Sequence, residues 1–579
     1  MCGIVGIVAR DKFPSRLLLE RLKRLEYRGY DSFGYYDARQ LKKYMGGIHL
    51  DAAEGHTRIG LAHTRWATHG GVNVPNAHPH ASCDGGVVIV HNGIIDNYED
   101  IKEDLVRKGH RFRSQTDSEV IAHFFEEGLK SKPMRVLVPA FFRKFQGTFA
   151  VLVMLRGGDE FYALKRDSPL VLGAAAGQTI VASDMHAFSD LGGRLAFFED
   201  DEFAVVRPDG FEFFDSRGRA VNKRLRTYAP VPASASTKKA FKHYMIKEIM
   251  EEPEVVERML LSLEREQKPA FDRLVRMVRR AKKVFFAACG TSYHASLLGA
   301  FFLHQLGIEN QTLIASEFRH YANIHPDTLV IALSQSGETL DVIDALKYTR
   351  ENGGRIAAVV NVPYSTIQRM SDLSLNILAG PEVCVASTKA FVNQAALLLR
   401  LSQEFGFRVN LNNLADRIRG LLRQKKAIRR IAGRLAESRD VYIIGRGLTY
   451  PVAREISLKI KEISYIHAEG MMGGELKHGT IALIEKGTPI ISLINNSDPD
   501  ILSNTRRSRP GADGRSSSPT TPRRPGGPTP SRSRQTTTAS SGSWRLSPDS
   551  SSPITRPTSS TVPSTSPATW PSPSRSNSR

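Results

Sequence analysis

Two patterns of hydrophobic and polar residues divide the chain. Residues 1–237 alternate short apolar runs, such as 85–90, with turn clusters and a few helical stretches, such as 118–128. This pattern is typical of an α+β domain. Residues 238–265 are polar with helical spacing and are predicted to be a linker. Beyond them, apolar strands, loops and helices follow one another repeatedly, which indicates a parallel sheet covered on both faces.

The carboxyl-terminal half contains an internal duplication. The sequence VFFAACG at 284–290 matches VYIIGRG at 441–447, and TLVIAL at 328–333 matches TPIISL at 488–493, at separations of 157 and 160 residues. We therefore expect two tandem α/β units, at 266–425 and 426–504. The first continues through a predicted strand at 356–360 and a predicted helix at 387–404. The second has no such continuation and is predicted to be truncated.

The net charge of +21 is concentrated at the carboxyl terminus. Residues 505–579 contain 12 Arg, no Lys and two Asp, and 46 of these 75 residues are Ser, Thr or Pro. A segment with so few apolar residues is predicted to be disordered. Arginine-rich segments can bind nucleic acid, so a basic-tailed nucleic-acid-binding protein is an alternative. The arginines are scattered, however, and only Trp544 and Trp570 accompany them as aromatics, so no specific nucleic-acid partner is expected.

Composition also limits the cellular setting. No apolar run is long enough to span a bilayer, and the first residues do not have the pattern of a secretory signal. The four cysteines, Cys2, Cys83, Cys289 and Cys384, are too few for a disulfide framework and do not have metal-ligand spacing. A cytoplasmic protein without a membrane partner or a metal site is therefore expected.

Cys2 is the first candidate for chemistry. If Met1 is removed, Cys2 carries a thiol and a free α-amine that can act as its general base. An ordinary buried cysteine at the start of a strand is the alternative. The surrounding motifs favour the catalytic interpretation: CGIVGI at 2–7, EYRGYDS at 26–32, HTRWATHG at 63–70, HNGII at 91–95 and TDSE at 116–119.

In these motifs the sequence resembles the class II glutamine amidotransferases, which are N-terminal-nucleophile hydrolases with a four-layer α/β/β/α sandwich. The resemblance implies that Cys2 attacks the glutamine side-chain amide, with Asn92 and Gly93 forming the oxyanion hole. It also implies a glutamine site in which Arg65 binds the α-carboxylate and Asp117 the α-ammonium group. The remaining residues expected to line that site are Trp66, Thr68 and His69.

Two loops in the duplicated half have the composition of a phosphate site. Residues 289–292 (CGTS) and 334–339 (SQSGET) each follow an apolar strand and open a helix, where backbone N–H groups and hydroxyls can bind an anion. The segment 385–389 (VASTK) is a third candidate. Because parallel strands end at one edge of the sheet, the three loops are expected to converge there on a phosphorylated small molecule. The alternative is that these Ser and Thr residues only cap helices.

Several segments resemble the glutamine:fructose-6-phosphate aminotransferase family, whose two sugar isomerase domains follow the glutaminase domain. They are 288–293, 315–319, 334–339 and 385–391 in the first domain, and 458–469 and 474–479 in the second. The resemblance implies that L-glutamine and D-fructose 6-phosphate give D-glucosamine 6-phosphate and L-glutamate, without a metal or organic cofactor. It further implies a homodimer and an internal ammonia channel gated by Trp66.

The same resemblance assigns roles in the sugar site. His478, reaching from the other protomer, is expected to open the sugar ring. Glu462 is expected to move the proton between C1 and C2, and Lys459 to assist at the hydroxyls. The phosphate is expected to be bound by Ser292, Ser334, Gln335, Ser336 and Thr339, with Thr291, Val385 and Ser387 lining the pocket.

The carboxyl terminus departs from this family, which closes on a segment close to DKPRNLAKSVTVE whose lysine forms a Schiff base with the sugar. Codons can be chosen for 564–578 that read DKPRNLAKSVTVE and a stop from the third base, and codons for 505–511 that read EEVKAR in that same frame. We therefore expect that 505–579 is the product of one frameshift near Asn504. A chain limited to glutamine hydrolysis is the second functional hypothesis.

Overall fold

A computed structural model of the chain describes residues 2–66, 70–175, 177–228, 230, 240–495 and 501. The predicted disordered tail, 505–579, lies outside the described residues.

The amino-terminal unit consists mainly of antiparallel strands. They are β1 (Gly3–Pro14), β2 (Ser32–Tyr36), β3 (Leu41–Met45), β4 (His56–Arg65), β5 (His80–Ala81), β6 (Val87–Ile95), β7 (Gly147–Leu155), β8 (Phe161–Arg166), β9 (Val171–Ala175), β10 (Gln178–Ala182), β11 (Gly193–Phe197), β12 (Glu202–Arg207), β13 (Gly210–Asp215), β14 (Ala220–Val221) and β15 (Arg226–Tyr228). The helices are α1 (Arg16–Lys23), α2 (Tyr98–Arg107), α3 (Glu119–Leu129) and α4 (Met134–Lys144).

These strands form two sheets that pack face to face. One has the order β15-β11-β9-β10-β1-β4-β2-β3 and the other β14-β13-β12-β8-β7-β6-β5. Alternation along the strands assigns each apolar side chain to one layer. In β1, Ile4 and Val8 lie in the core between the sheets, whereas Val5 and Ile7 face the layer containing α1. Helices α2, α3 and α4 cover the second sheet. The predicted α/β/β/α sandwich is confirmed.

Three helices connect this unit to the next. They are α5 (Tyr244–Met250), α6 (Glu252–Glu264) and α7 (Lys268–Arg280). Part of the segment predicted as a linker therefore belongs to a core, because Val256, Met259 and Leu263 of α6 are buried against the following sheet.

The second unit is a parallel sheet with helices on both faces. Its strands are β16 (Lys283–Ala288), β17 (Asn310–Ile314), β18 (Thr328–Ser334), β19 (Arg355–Val360) and β20 (Leu373–Asn376) in the order β17-β16-β18-β19-β20. The helices are α8 (Gly290–His304), α9 (Phe318–Tyr321), α10 (Leu340–Glu351), α11 (Thr366–Met370) and α12 (Lys389–Gln403). Separate hydrophobic clusters on the two faces confirm the predicted doubly covered sheet.

The third unit contains α13 (Leu414–Leu422), α14 (Lys425–Leu435) and α15 (Thr449–Ser464), with strands β21 (Asp440–Gly445), β22 (His467–Met472) and β23 (Ile490–Ser492). Its parallel sheet has the order β22-β21-β23, which repeats β17-β16-β18. In both units a glycine with φ of +52° lies where the central strand turns into its helix: Gly290 is the first residue of α8, and Gly447 lies two residues before α15. The predicted duplication is therefore visible in topology and in backbone conformation.

Candidate active sites

The Cys2 thiol lies at the start of β1, beside the end of β4. Its Sγ accepts a hydrogen bond from the backbone N–H of Trp66 at 3.3 Å. Burial raises the pKa of the thiol, although the Trp66 N–H and the cationic Arg65 and Arg28 act in the opposite direction. The Arg28 guanidinium also donates to the Cys2 carbonyl oxygen at 3.1 Å. These contacts hold the nucleophile at the edge of the sheet that β1 and β4 share.

Asn92, on β6 of the opposite sheet, contacts the backbone of Cys2. Its Nδ2 donates to the Cys2 carbonyl oxygen at 2.9 Å, and its Oδ1 lies 3.1 Å from Nε2 of His63. Burial lowers the pKa of His63 to about 3, so the ring is neutral. Nε2 faces two acceptors, Asn92 Oδ1 and the His91 carbonyl oxygen, and therefore carries the ring proton. His63 thus fixes the orientation of the Asn92 amide, a contact that sequence reasoning missed although His63 lies in one of the quoted motifs.

Gly93 follows on β6 in a conformation that requires glycine. Its φ is +131°, and a Cβ at this position would lie 2.0 Å from the carbonyl oxygen of Thr148 on β7. Gly93 directly follows Asn92 on β6, the pair from which the sequence predicted an oxyanion hole.

The predicted glutamine-binding residues are only partly described. Arg65 is buried and donates to the carbonyl oxygens of Gly70 and Gly71. Asp117, at the end of the connection between α2 and α3, accepts the Ile95 N–H at 2.8 Å, which places it next to β6. Trp66 packs edge-on against Tyr30, with ring centroids 5.4 Å apart. Thr68 and His69 lie outside the described residues.

The loop between β18 and α10 is internally hydrogen-bonded. Ser334 Oγ accepts the Gly337 N–H at 2.9 Å and lies 3.0 Å from Thr339 Oγ1, and Ser336 Oγ accepts the Glu338 N–H at 3.1 Å. The Gln335 carbonyl oxygen accepts the Asn361 N–H. Thr339 precedes α10 but makes no side-chain capping bond. Helix capping by that residue, the alternative to a phosphate site, is therefore not observed.

The other predicted sugar-phosphate residues come from two further loops. Ser292, in the first turn of α8, accepts a hydrogen bond from Gln394 Nε2 of α12 at 3.0 Å. Ser387 donates to Glu382 at 2.8 Å, and Val385 has 40% of its surface exposed. The loops before α8, α10 and α12 follow the parallel strands β16, β18 and β20, so they start at one edge of the sheet. That they bind a phosphorylated molecule there stays a prediction.

Helix α15 brings charged residues from the third unit to the start of α8. Lys459 Nζ donates to Thr291 Oγ1 at 2.8 Å and lies 2.8 Å from a Glu462 carboxylate oxygen. Glu455, one turn earlier, accepts Thr291 Oγ1 at 3.0 Å. Its second oxygen lies 2.7 Å from Nδ1 of His294. Glu455 is 5% exposed and was not predicted as a site residue. The signal was the 455, 459, 462 spacing, which places all three on one helix face.

His478 lies apart from the hydrogen bonds that join Lys459, Glu462 and Thr291 in the described part of the chain. It lies at the end of a short helical turn, is exposed, and its backbone N–H donates to the Glu475 carbonyl oxygen. The prediction that it acts from another protomer stays a prediction.

Comparisons with known proteins agree with the two kinds of site. The glutamine amidotransferase domain family matches residues 1–202, and the SIS domain family matches 277–401 and 434–502. A glutamine--fructose-6-phosphate aminotransferase [isomerizing] of Sulfurisphaera tokodaii is 37% identical over 87% of this chain and 88% of its own length. One of Pseudomonas putida is 39% identical over 86% of each chain. This chain belongs to that aminotransferase family.

A solved structure of the family is also similar. The C-terminal domain of glucosamine-fructose-6-phosphate aminotransferase from Francisella tularensis matches with 32% identity and a TM-score of 0.43, over 47% of this chain and 83% of that one. The predicted family and the order of a glutamine amidotransferase domain before sugar isomerase domains are confirmed.

Side chains of the amino-terminal and third units meet between the two candidate sites. Tyr30, which packs on Trp66, has Tyr465 at the end of α15 as an electrostatic neighbour. Burial, together with Tyr465, raises the pKa of the Tyr30 hydroxyl. The amino-terminal unit and the helix that carries Lys459 thus approach each other near Tyr30, and Tyr465 itself is 82% exposed. Among the residues described, no helix combines the length and apolar character needed to cross a membrane.

Proposed function

We propose that this chain is a glutamine--fructose-6-phosphate aminotransferase, which forms D-glucosamine 6-phosphate and L-glutamate from D-fructose 6-phosphate and L-glutamine. One observation carries the proposal: the chain places a buried amino-terminal thiol and a lysine-carboxylate cluster at a hydroxyl-rich loop edge, with Tyr30 and Tyr465 as electrostatic neighbours between them. Either half alone is compatible with other reactions.

In the proposed glutamine half-reaction, the Cys2 α-amine accepts the thiol proton and Sγ attacks the side-chain amide carbon. Nitrogen leaves as ammonia, and water then hydrolyses the thioester to glutamate. Asn92 Nδ2 and the Gly93 N–H are the proposed oxyanion donors, for which Asn92 exchanges its bond to the Cys2 carbonyl oxygen for one to the substrate. Arg65 and Asp117 are proposed to bind the α-carboxylate and α-ammonium groups, with Trp66, Thr68 and His69 around them.

In the proposed sugar half-reaction, the loop hydroxyls and backbone N–H groups bind the phosphate. Glu462 transfers a proton between C1 and C2, and Lys459 donates to the sugar hydroxyls. The ion pair between Lys459 and Glu462, at 2.8 Å, holds the two side chains next to each other. The proposed phosphate contacts are Ser292, Ser334, Gln335, Ser336 and Thr339, beside Thr291, Val385 and Ser387.

Ammonia must reach the sugar without becoming ammonium in water. The contact between Trp66 and Tyr30 is proposed as part of the wall of an internal path, with Trp66 as its gate. A homodimer is proposed because His478, the expected ring-opening group, lies on an exposed turn and would reach a sugar site from the other protomer.

A second candidate is a chain restricted to glutamine hydrolysis. The observation in its favour is the sequence after Asn504, which does not contain the family's closing segment or its Schiff-base lysine.

One experiment distinguishes the two candidates. Purified full-length chain is assayed separately for glutamate and for glucosamine 6-phosphate, with glutamine or ammonium as nitrogen donor. Cys2→Ala should abolish glutamate formation, and Lys459→Ala should leave it unchanged. Glucosamine 6-phosphate formed by wild type supports the aminotransferase; glutamate alone supports the glutaminase; and neither product, from folded protein, contradicts both.

A further inference from the structure

Four side chains converge outside the proposed active sites, in the amino-terminal unit. Cys83 comes from the turn between β5 and β6, His110 from the connection after α2, and His123 and Glu126 from α3. One donor atom from each lies within 4.8 Å of every other. Cys83 Sγ is 3.7 Å from His110 Nδ1 and 3.6 Å from His123 Nδ1. These separations are close to the edges of a tetrahedron around a metal with bonds of about 2.0 to 2.3 Å.

The outward nitrogens of both histidines face carboxylates. His110 Nε2 lies 3.2 Å from a Glu127 oxygen, and His123 Nε2 lies 3.6 Å from a Glu119 oxygen. Histidines that bind metals through one ring nitrogen commonly donate the other N–H to a carboxylate, which sets the tautomer. Only the His110 contact is within hydrogen-bond distance. With the proton on Nε2, each ring would direct an Nδ1 lone pair at the cluster.

Both histidine rings and Glu126 direct their donor atoms at one small volume. The Nδ1 atoms face one oxygen of Glu126, at 2.8 Å for His110 and 3.1 Å for His123, and the ring centroids are 5.2 Å apart. The two histidine side chains are 4% and 1% exposed, so little solvent reaches these atoms. A single divalent cation at this point would have both rings and Glu126 as ligands.

The backbone is arranged to support a thiolate and a fixed carboxylate. Cys83 Sγ accepts the Arg111 N–H at 3.3 Å. Glu126 accepts the N–H groups of Cys83 and Asp84, both at 3.1 Å. Each ligand is thus held in place by a contact that does not involve the other ligands' donor atoms.

We propose that Cys83, His110, His123 and Glu126 bind a divalent transition metal of the zinc class. One thiolate, two imidazoles and one carboxylate match the ligand types that zinc prefers in tetrahedral sites, and they disfavour magnesium and calcium, which require oxygen ligands. The set is closed by four protein ligands, so its role is structural. The metal joins the turn before β6, which carries Asn92 and Gly93, to the connection that leads to Asp117.

The spacing of the cysteines had indicated no metal site, since no second cysteine lies near Cys83 in sequence. The proposed site differs from that expectation. The signal that the chain does contain is His123 and Glu126 at positions i and i+3 of α3, which share a helix face. The other two ligands arrive only through the fold.

The proposal is tested on full-length protein with zinc as the probe. Wild type dialysed against zinc and then against metal-free buffer should retain zinc in stoichiometric amount by mass spectrometry of the metal. Cobalt substitution should give a thiolate-to-cobalt charge-transfer band. Cys83→Ser and His110→Gln should retain at least ten-fold less zinc, whereas the matched controls Cys384→Ser and His304→Gln should retain it fully.

A second measurement does not depend on variants alone. Cys83 is the exposed cysteine among those described, so without metal it should react rapidly with a thiol reagent. In zinc-loaded wild type this thiol should be protected until a strong chelator is added, and Cys83→Ser should lose the chelator-dependent thiol. Absence of retained zinc and of a cobalt band in folded wild type, or equal thiol reactivity with and without chelator, would overturn the proposal. The outcome is independent of the proposed aminotransferase activity.

Discussion

Gly93 occupies a position where the backbone conformation and the neighbouring strand leave no room for a side chain. Its φ is +131°, and the Thr148 carbonyl oxygen would lie 2.0 Å from any Cβ added there, which leaves no relaxed solution within the β6–β7 pair. Gly93→Ala is therefore expected to reduce glutamine hydrolysis at least ~100-fold, the scale of a lost oxyanion donor.

The matched control for Gly93 is Gly157, in the turn between β7 and β8. It has φ of +79° but no atom within 4 Å of the added Cβ, so Gly157→Ala tests backbone strain without the clash. Glutamate release by both variants is compared with wild type. Activity of Gly93→Ala equal to that of Gly157→Ala would show that the close approach does not matter.

Glu248 on α5 is a buried carboxyl that stabilises the loop before α12. Its Oε1 accepts the backbone N–H groups of Val383 and Cys384, and burial raises its pKa to about 7. A carboxyl with a raised pKa in the folded state stabilises the fold below its unfolded pKa, and this contribution is lost as pH rises through the folded pKa. The contribution of Glu248 to the free energy of unfolding therefore falls as pH rises from about 4.5 to about 7.

Replacement of Glu248 by Gln keeps the acceptor oxygen and removes the charge. Glu248→Gln should increase the free energy of unfolding by about 3 kcal/mol above pH 7, the value of a pKa raised from 4.5 to about 7. The difference from wild type should shrink towards pH 4.5. Denaturant unfolding at both pH values provides the measurement, with the exposed Glu437→Gln as control. A gain that is equal at the two pH values would contradict the assigned cause.

At the scale of elements, the junction of α8 and α15 depends on one buried carboxylate. Glu455 accepts Thr291 Oγ1 and faces His294 Nδ1 and Lys459, so it joins a helix of the second unit to one of the third. Glu455→Ala removes the acceptor of Thr291 Oγ1 and the carboxylate beside His294, and should cost about 2 to 3 kcal/mol of unfolding free energy. Chemical denaturation checks this value. A loss no larger than that of the exposed control Glu437→Ala would contradict it.

The sequence predicted helices and strands well where the hydrophobic residues followed a single helical or strand periodicity. The strand predicted at 356–360 is β19 (Arg355–Val360), the helix at 387–404 is α12 (Lys389–Gln403), and the stretch at 118–128 contains most of α3. The linker prediction was wrong in part, since α6 is built into a core. Helix α6 mixes charged and apolar residues, and the sequence does not show what its apolar positions contact. Only the fold shows that Val256, Met259 and Leu263 are buried against the following sheet.

At the scale of the molecule, the amino-terminal and second units are docked through charged and aromatic side chains. Lys347 on α10 pairs with Asp167 at 2.6 Å and with Asp200 at 3.0 Å. Arg369 lies over the Phe197 ring, 4.3 Å from its centroid. The lysine pairs are about one-third exposed and contribute little. Arg369 and Phe197 are half-buried, so their contact contributes more.

A double-mutant cycle measures this docking contact. Arg369→Ala and Phe197→Leu should each lower the free energy of unfolding, and the double variant should show a coupling energy of about 1 kcal/mol. Thermal and denaturant unfolding of the four proteins give the value. The same cycle with Arg355, which lies on the exposed start of β19, should give additive effects. Additive effects for Arg369 and Phe197 would contradict the contact.

Sequence by itself determined the two chemistries, because each depends on short motifs that fold locally. These motifs are a cysteine at the amino terminus, the glycine-containing HNG segment and the hydroxyl-rich loops after apolar strands. They indicate the same chemistry however the units are arranged relative to one another. The duplication and the layers of each unit also follow from local periodicity, since alternation at two residues and repeats of strand and helix are properties of neighbouring positions.

Only the tertiary structure decided which distant side chains meet. His63 holds Asn92, Glu455 joins Thr291 to Lys459, and Cys83 faces His110, His123 and Glu126, all through strand pairing and helix packing between segments far apart in sequence. No local pattern encodes such contacts. They arise because burying apolar faces brings polar groups together, and each group must then find a partner within the fold.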